Sequence, residues 1–252
     1  MAASRLGYDV LTLENASSSS LSKGESLADT VQNVIAMGPD ALVIRYGQSP
    51  ELDRLLPTLS IPVMNAGSGT KAHPTQALLD AYTIQKSFGS LQGRKVLITG
   101  DIRHSRVAQS NFDVLQKMGA EVGVCGPREF IPQSGLPLNV KVFELLDEAV
   151  SWCDVYMGLR IQLERHCEAG LPEESVSSYK NYFETFGLTR ARLKILKNDA
   201  IIMHPGPINH GVEFPADDSV MSDSRNRVLK QVSNGVVIRA ALLEKLFRDK
   251  DR

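Results

Sequence analysis

Short apolar runs rich in β-branched residues alternate along this chain with segments whose apolar positions recur at helical spacing. That exchange predicts α/β architecture. In the first part, strands are expected at "DVLTL", "ALVIR" and "IPVMNAG", with a helix through "ESLADTVQNVIAM" that stops at Gly38-Pro39. A second helix is expected over "PTQALLDAYTIQKSF", where Pro74 suits the first turn and Leu78, Leu79 and Tyr82 supply the buried face. The polar stretch "GSLQGRK" reads as a hinge. Beyond it the alternation starts afresh: strand "KVLITGD", helix "SRVAQSNFDVLQKMG", strands "EVGVCG" and "VKVFE", helix "LLDEAVSWC", strand "VYMGL" and strand "AIIMHPG". A last helix runs roughly through "RNRVLKQVSNGVVIRAALLEKLF" despite Gly235 and is expected to pack back on the first domain. Two parallel-sheet α/β domains, residues 1–88 and 89–228, followed by a returning helix over 229–252, fit this pattern better than one continuous sheet.

Composition narrows the class of protein. A chain of 252 residues at 42% hydrophobic and 23% charged can build well-packed cores. Its net charge of -1 gives no global field for nucleic acid, so any anion site has to be local. No basic and apolar leader opens the sequence, and no apolar stretch approaches the ~18 residues of a membrane span. A soluble, cytoplasmic protein without a membrane or nucleic-acid partner is expected. Cys125, Cys153 and Cys167 form no CxxC pair and no metal-ligand spacing, which points to reduced thiols.

Parallel α/β sheets bind ligands at the carboxyl ends of their strands, and here those ends are rich in polar residues. Arg45 ends "ALVIR", Asn65 to His73 follow "IPVM", Asp101 to Arg106 follow "VLITG", Arg160 ends "VYMGLR", and His204-Pro205-Gly206-Pro207 follow "AIIM". Arginines and a histidine at strand ends suit a small molecule carrying several negative charges, although single arginines also flank strands simply as solvated termini. "VLITGDIRHSR" lacks GxGxxG, and no GxxxxGK[ST] occurs, so dinucleotide and P-loop sites are not expected. No Ser-His-Asp order, zinc spacing or calcium loop stands out either.

Five motifs, "SSSSLSKGESLADT", "HPTQALLDAYTI", "GDIRHSRVAQSN", "GLRIQLER" and "MHPGPINHGVE", stand in the order and spacing of aspartate carbamoyltransferase catalytic chains, which this sequence resembles over essentially its whole length. The resemblance implies transfer of a carbamoyl group from carbamoyl phosphate to the amine of L-aspartate, in pyrimidine biosynthesis, with no metal and no cofactor. It also implies a carbamoyl-phosphate domain followed by an aspartate domain. Residue by residue, it places His73 beside the carbamoyl carbonyl oxygen. A histidine at a helix N-terminus favours the neutral imidazole, able to donate to an oxygen gaining charge. Gln76 would meet the carbamoyl amide, and Arg45 the carbonyl and phosphate. Arg106 and Arg160, assisted by Gln162, would grip the aspartate carboxylates with forked guanidinium groups. Ser19 and Lys23 belong to a loop that, in the family, enters the active site of a neighbouring subunit in a homotrimer. Lys23 counts there as catalytic and as an aspartate contact, and Ser19 as a carbamoyl-phosphate contact. The turn "HPGP" would present the backbone carbonyls of Pro205 and Gly206, orienting the attacking amine and contacting the carbamoyl group. His204 reads better as a buried, hydrogen-bonded histidine, His104 and His210 are given no catalytic role, and "SSYKNYFETFGLT" resembles the family's second mobile loop.

The family carries, upstream of the position matching Met1, a strand and a Ser-Thr-Arg-Thr segment that cradles the phosphate. On that ground the chain as written is expected to be inactive or nearly so. Two further readings are compatible with the sequence: a structural homologue without activity, and an ornithine carbamoyltransferase. The latter usually shows HCLP where this chain has "HPGP".

Overall fold

The computed structural model describes residues 1–13, 26–69, 72–161 and 181–250. Residues 1–75 with 235–252 form one compact unit, and residues 76–234 form a second. Among the described residues no helix is long and apolar enough to cross a membrane.

The first unit contains α1 (Ala2–Arg5), α2 (Leu27–Ala36), β1 (Leu42–Tyr46), α3 (Pro50–Leu55) and β2 (Val63–Ser68). Serine caps start α2 and α3: the Ser26 hydroxyl accepts from the Asp29 N–H, and that of Ser49 from the Leu52 N–H. Pro50 takes the first turn of α3, and Leu52, fully buried, anchors that helix. β1 and β2 run parallel, with Leu42 opposite Val63 and Ile44 opposite Asn65. The expected strand "DVLTL" is not formed. Val10, Leu11 and Leu13 are 59%, 75% and 63% exposed, and β1 and β2 pair only with each other among the described residues. β-propensity makes a strand only where a partner edge is available.

The second unit is built on five parallel strands: β3 (Lys95–Thr99), β4 (Glu121–Cys125), β5 (Lys141–Phe143), β6 (Val155–Gly158) and β7 (Ile201–Met203). Their order is β5-β4-β3-β6-β7. The strands read as continuous apolar runs because both faces are covered. Val96, Ile98, Val155, Met157, Ile201 and Met203 enter one core with Phe112 and Leu115 of α5 (Arg106–Lys117). Leu97, Tyr156 and Ile202, one residue out of phase, enter the other with Leu146 and Val150 of α6 (Leu146–Trp152). Two short helices, α7 (Tyr182–Phe186) and α8 (Arg190–Ile195), follow β6, and Leu193 of α8 joins this second core. They were not expected from the sequence. Part of the loop read in "SSYKNYFETFGLT" is thus helical from Tyr182, while residues 177–180 lie outside the described residues.

Helix α4 covers Pro74–Phe88, but its buried face is not the one expected. Leu79 is buried, whereas Leu78 and Tyr82 are only half-buried. The fully covered stripe includes Gln76, Asp80 and Thr83, polar residues that hydrophobic patterning assigns to solvent. The last helix, α9, spans Val228–Lys250. In the first unit its Phe247 ring meets that of Tyr8 at 4.7 Å.

From β3 the chain goes to β4 on one side, and from β6 to β7 on the other. The carboxyl ends of β3 and β6 therefore flank the point where the winding reverses, the place where open α/β sheets bind ligands. Gly100 makes the exit from β3 possible, with φ +117 and a missing Cβ that would lie 3.0 Å from the Leu159 carbonyl oxygen. Gly100→Ala is expected to lower stability by about 1–3 kcal/mol, read as a shift of the urea midpoint; an unchanged midpoint would contradict the close packing of these two strand ends.

Candidate active site

Hydrogen bonds local to the first unit deliver His73. Asn65 turns the end of β2 by accepting from the Gly67 N–H at 2.7 Å and donating to the Ser68 hydroxyl at 3.2 Å. Ser68 and Ala72 then exchange backbone bonds at 3.0 and 3.4 Å, which fixes Ala72 just before His73. Pro74 follows at once as the first residue of α4. The half-buried imidazole is thereby set at a helix start. Arg45 sits on β1 with its side chain exposed, between half-buried Ile44 and Tyr46.

The second unit holds the remaining described positions at the carboxyl ends of its strands. After β3, Asp101 is buried and accepts from the His104 backbone N–H at 3.1 Å, while its two oxygens lie 3.0 and 3.1 Å from His104 Nδ1. This pair shapes the loop and gives His104 a structural task. Ser105 caps α5 by accepting from the Ala108 N–H, which makes Arg106 the first helical residue, half-buried at the switch point. After β6, Arg160 is half-buried as well. The next residue is clamped: the Ile161 N–H donates to Glu213 Oε1 at 2.7 Å, and the Ile161 carbonyl accepts from Asn209 Nδ2 at 3.1 Å. Glu213 also accepts from the Asn209 backbone N–H at 2.6 Å.

The turn after β7 is fixed by His204. Its ring is buried and accepts from the Gly206 N–H through Nδ1 at 3.0 Å, so the proton of the neutral imidazole lies on Nε2, 3.9 Å from Glu213 Oε2. Burial holds the His204 pKa down at about 3, which keeps it neutral throughout the working range. The buried, structural reading of His204 stands. Gly206 has φ +73, in the region open to glycine, and the Gly206–Pro207 peptide is cis. His210 Nδ1 lies 3.2 Å from the Pro215 carbonyl oxygen.

Arg106, Arg160, Pro205 and Gly206 thus lie at one end of the second unit's sheet, Gln76 belongs to the same unit, and Arg45 and His73 belong to the other. Ser19, Lys23 and Gln162 lie outside the described residues. Asp80, Asn209, Glu213 and Gln231 escaped the sequence reading. All are polar residues spent on internal hydrogen bonds, and the one available signal was the spacing of Gln76, Asp80 and Thr83 along a single helical face.

Glu213 is a source of pH-dependent stability in the second unit. Burial pushes its carboxyl up from 4.5 to about 7, against the pull of the Ile161 and Asn209 N–H groups and the Arg160 charge. A raised folded-state pKa gives stability that is complete below the unfolded value and is lost as pH rises through the folded one. Raising the pH from about 5 to about 8 is therefore expected to destabilise the parent chain relative to Glu213→Gln, by on the order of 2–3 kcal/mol. Parallel denaturant curves for the two proteins would show this contribution to be missing if their difference did not move with pH.

Residues 1–86 match the family model described as aspartate/ornithine carbamoyltransferase, carbamoyl-P binding domain, and residues 92–246 match its Asp/Orn binding domain. The aspartate carbamoyltransferase catalytic subunit of Prosthecochloris aestuarii is 46% identical over 251 residues, which are 98% of this chain and 78% of that protein. The corresponding subunit of Sorangium cellulosum is 47% identical over 96% of this chain and 73% of its own length. Among solved structures, aspartate transcarbamoylase from Trypanosoma cruzi in complex with carbamoyl phosphate superposes with a TM-score of 0.83 at 30% identity, covering 96% of this chain and 76% of that one. The same enzyme holding both carbamoyl phosphate and aspartate gives 0.82 at 28% identity, with coverage of 96% and 77%. The chain belongs to the aspartate/ornithine carbamoyltransferase family, on its aspartate carbamoyltransferase branch.

Proposed function

We propose that this chain transfers the carbamoyl group of carbamoyl phosphate to L-aspartate, giving N-carbamoyl-L-aspartate and phosphate for pyrimidine synthesis, through the residues assigned above. The observation that carries the reading is the pair of guanidinium residues at the switch point: Arg106 opens α5 after β3, and Arg160 follows β6. Two forked cations at the carboxyl ends of adjacent parallel strands match a small dicarboxylate, and ornithine offers only one carboxylate.

The neutral amine of aspartate attacks the carbamoyl carbon. A C–N bond forms, and the carbonyl π electrons move onto oxygen. His73 donates a hydrogen bond to that oxygen, and Arg45 balances charge on it and on the phosphate. The tetrahedral species collapses by cleavage of the bond between the carbamoyl carbon and the bridging phosphate oxygen, and the departing phosphate takes the amine proton. No protein carboxylate is required as a base, since proximity and preorganised charge carry the rate. The carbonyls of Pro205 and Gly206 and the amide of Gln76 accept from or align the nitrogen groups. Residues 1–88 serve carbamoyl phosphate, residues 89–228 serve aspartate, and the helix over 229–252 returns to the first domain. The working form is a cytoplasmic homotrimer in which Ser19 and Lys23 of one copy serve a neighbour's site, and Lys23 closes over substrate together with Gln162 of the aspartate domain.

Offering aspartate and ornithine separately with carbamoyl phosphate is expected to give product with aspartate alone. Product with ornithine would overturn the aspartate reading, whereas product with neither amine would match the inactivity expected from the sequence and overturn the activity proposed for the chain as written. Arg160→Lys is expected to cut kcat/KM for aspartate by about 100-fold or more through loss of bidentate contact, with a much smaller change in KM for carbamoyl phosphate. His73→Ala is expected to lower kcat by about 100-fold to 1,000-fold. An equal effect of Arg160→Lys on the affinities for both substrates would remove it from the aspartate subsite.

A further inference from the structure

Helix α4 carries a carboxylate into the interior of the second unit, and its partners are unusually informative. Asp80 has no exposed surface. Its Oδ1 accepts from Gln76 Nε2 at 2.9 Å and from Gln231 Nε2 at 2.9 Å, and its Oδ2 accepts from Asn111 Nδ2 at 3.0 Å. One side chain thus ties α4 to α5 and to the start of α9. Through Gln231 it also reaches the turn after β7, because Gln231 Oε1 accepts from the His204 backbone N–H at 2.8 Å. A second bond, Asn234 Nδ2 to Thr83 Oγ1 at 2.9 Å, reinforces the α9 contact.

Two of the three amides are locked by backbone groups. A backbone N–H can only donate, so Gln231 must turn its oxygen to His204 and its amino group to Asp80. A backbone carbonyl can only accept, and Asn111 Nδ2 donates to the Val107 carbonyl at 3.0 Å as well as to Asp80. Both oxygens of Asp80 are acceptors in this arrangement. The amide of Gln76, which among the described residues bonds to Asp80 and to no backbone group, takes its orientation from the carboxylate: Nε2 points at Asp80 and Oε1 turns away from it.

We propose that Asp80 is a positioning residue for carbamoyl recognition, orienting Gln76 so that Oε1 accepts from the carbamoyl NH2 and holding, through Gln231, the turn that carries the Pro205 and Gly206 carbonyls. The inference rests on the functional reading given above. Its consequence is selectivity: acceptors aimed at the NH2 position reward carbamoyl phosphate and penalise acetyl phosphate, which places a methyl group there. Asparagine at position 80 keeps the shape but offers one oxygen and one amino group to three donors. Gln76, lacking a backbone lock, is the partner that reorients.

The test compares KM for carbamoyl phosphate with the competitive inhibition constant of acetyl phosphate in the full chain and its variants. Asp80→Asn is expected to reduce the preference for carbamoyl phosphate by about 10-fold or more. Asn111→Ala removes a bond from the same carboxylate but leaves Gln76 and Gln231 paired, so it is expected to lower thermal stability and keep the preference. Gln231→Leu keeps the proposal testable if Asp80→Asn does not fold, and is expected to reduce the preference about 3-fold to 10-fold by releasing the turn. An unchanged preference in Asp80→Asn or, where that variant does not fold, in Gln231→Leu would overturn the inference, as would an equal loss in Asn111→Ala. A parent chain making no N-carbamoyl-aspartate would instead remove the functional reading, and the inference with it.

Discussion

A carboxylate without access to water must collect donors from the surrounding chain, and at Asp80 they come from three helices. Removing a donor leaves the buried charge less well compensated, which can cost more than the bond itself contributes. The interaction is therefore demanding in geometry as well as energy. α4, α5 and the start of α9 satisfy it in one arrangement, and the turn after β7 is fixed along with them through Gln231 and His204. A second clamp of the same kind, Glu213 with Asn209 around Ile161, holds the end of β6. Chemistry at strand ends gains its precision from these interior polar contacts, because the apolar cores on either face of the sheet are not directional.

The two clamps also divide the work of the site. Arg106 and Arg160 remain half-buried at the surface of the sheet's end, while the groups that hold their neighbourhoods, Ser105, Asp101, Asn209 and Glu213, are committed inward. Under the proposed function, a fixed backbone places each arginine at the strand end before a carboxylate arrives, leaving only its side chain to order. The same economy suits a transfer reaction in which phosphate takes the proton and the protein supplies position and charge. His204 contributes through its lone pair on Nδ1, a role that its depressed pKa protects from titration.

Much of the fold was legible because both faces of the sheet are buried. β3, β4, β6 and β7 are unbroken apolar runs whose alternate residues fill two different cores, and each run appeared in the sequence with nearly its final bounds. Helix starts were legible where serine caps or proline marked them, as at Ser105 and Pro74. What stayed hidden depends on partners distant in sequence. Asp9–Leu13 has strand composition but no strand pairing, and nothing local reveals that. α7 and α8 are too short for a helical period to show. Asp80 and Gln231 meet across 151 positions, so a polar stripe on α4 read as solvent-facing until its partners were in view. The candidate positions Arg106, Arg160 and His73 could be named from the sequence because polar residues there sit near glycine or proline at strand ends. The site was not legible at the residues that hold them, whose side chains look like ordinary surface composition. Lys23, Ser19 and Gln162 rest on the family motifs alone.

The most direct measurement is a crystal structure of this chain with carbamoyl phosphate and succinate, the dicarboxylate that keeps aspartate's acids and lacks its amine. The expected result has the succinate carboxylates on Arg106 and Arg160, with Gln76 Oε1 and the carbonyls after β7 facing the carbamoyl nitrogen. Succinate bound elsewhere with both arginines in solvent, or Gln76 turned with its amino group towards the carbamoyl nitrogen, would contradict it.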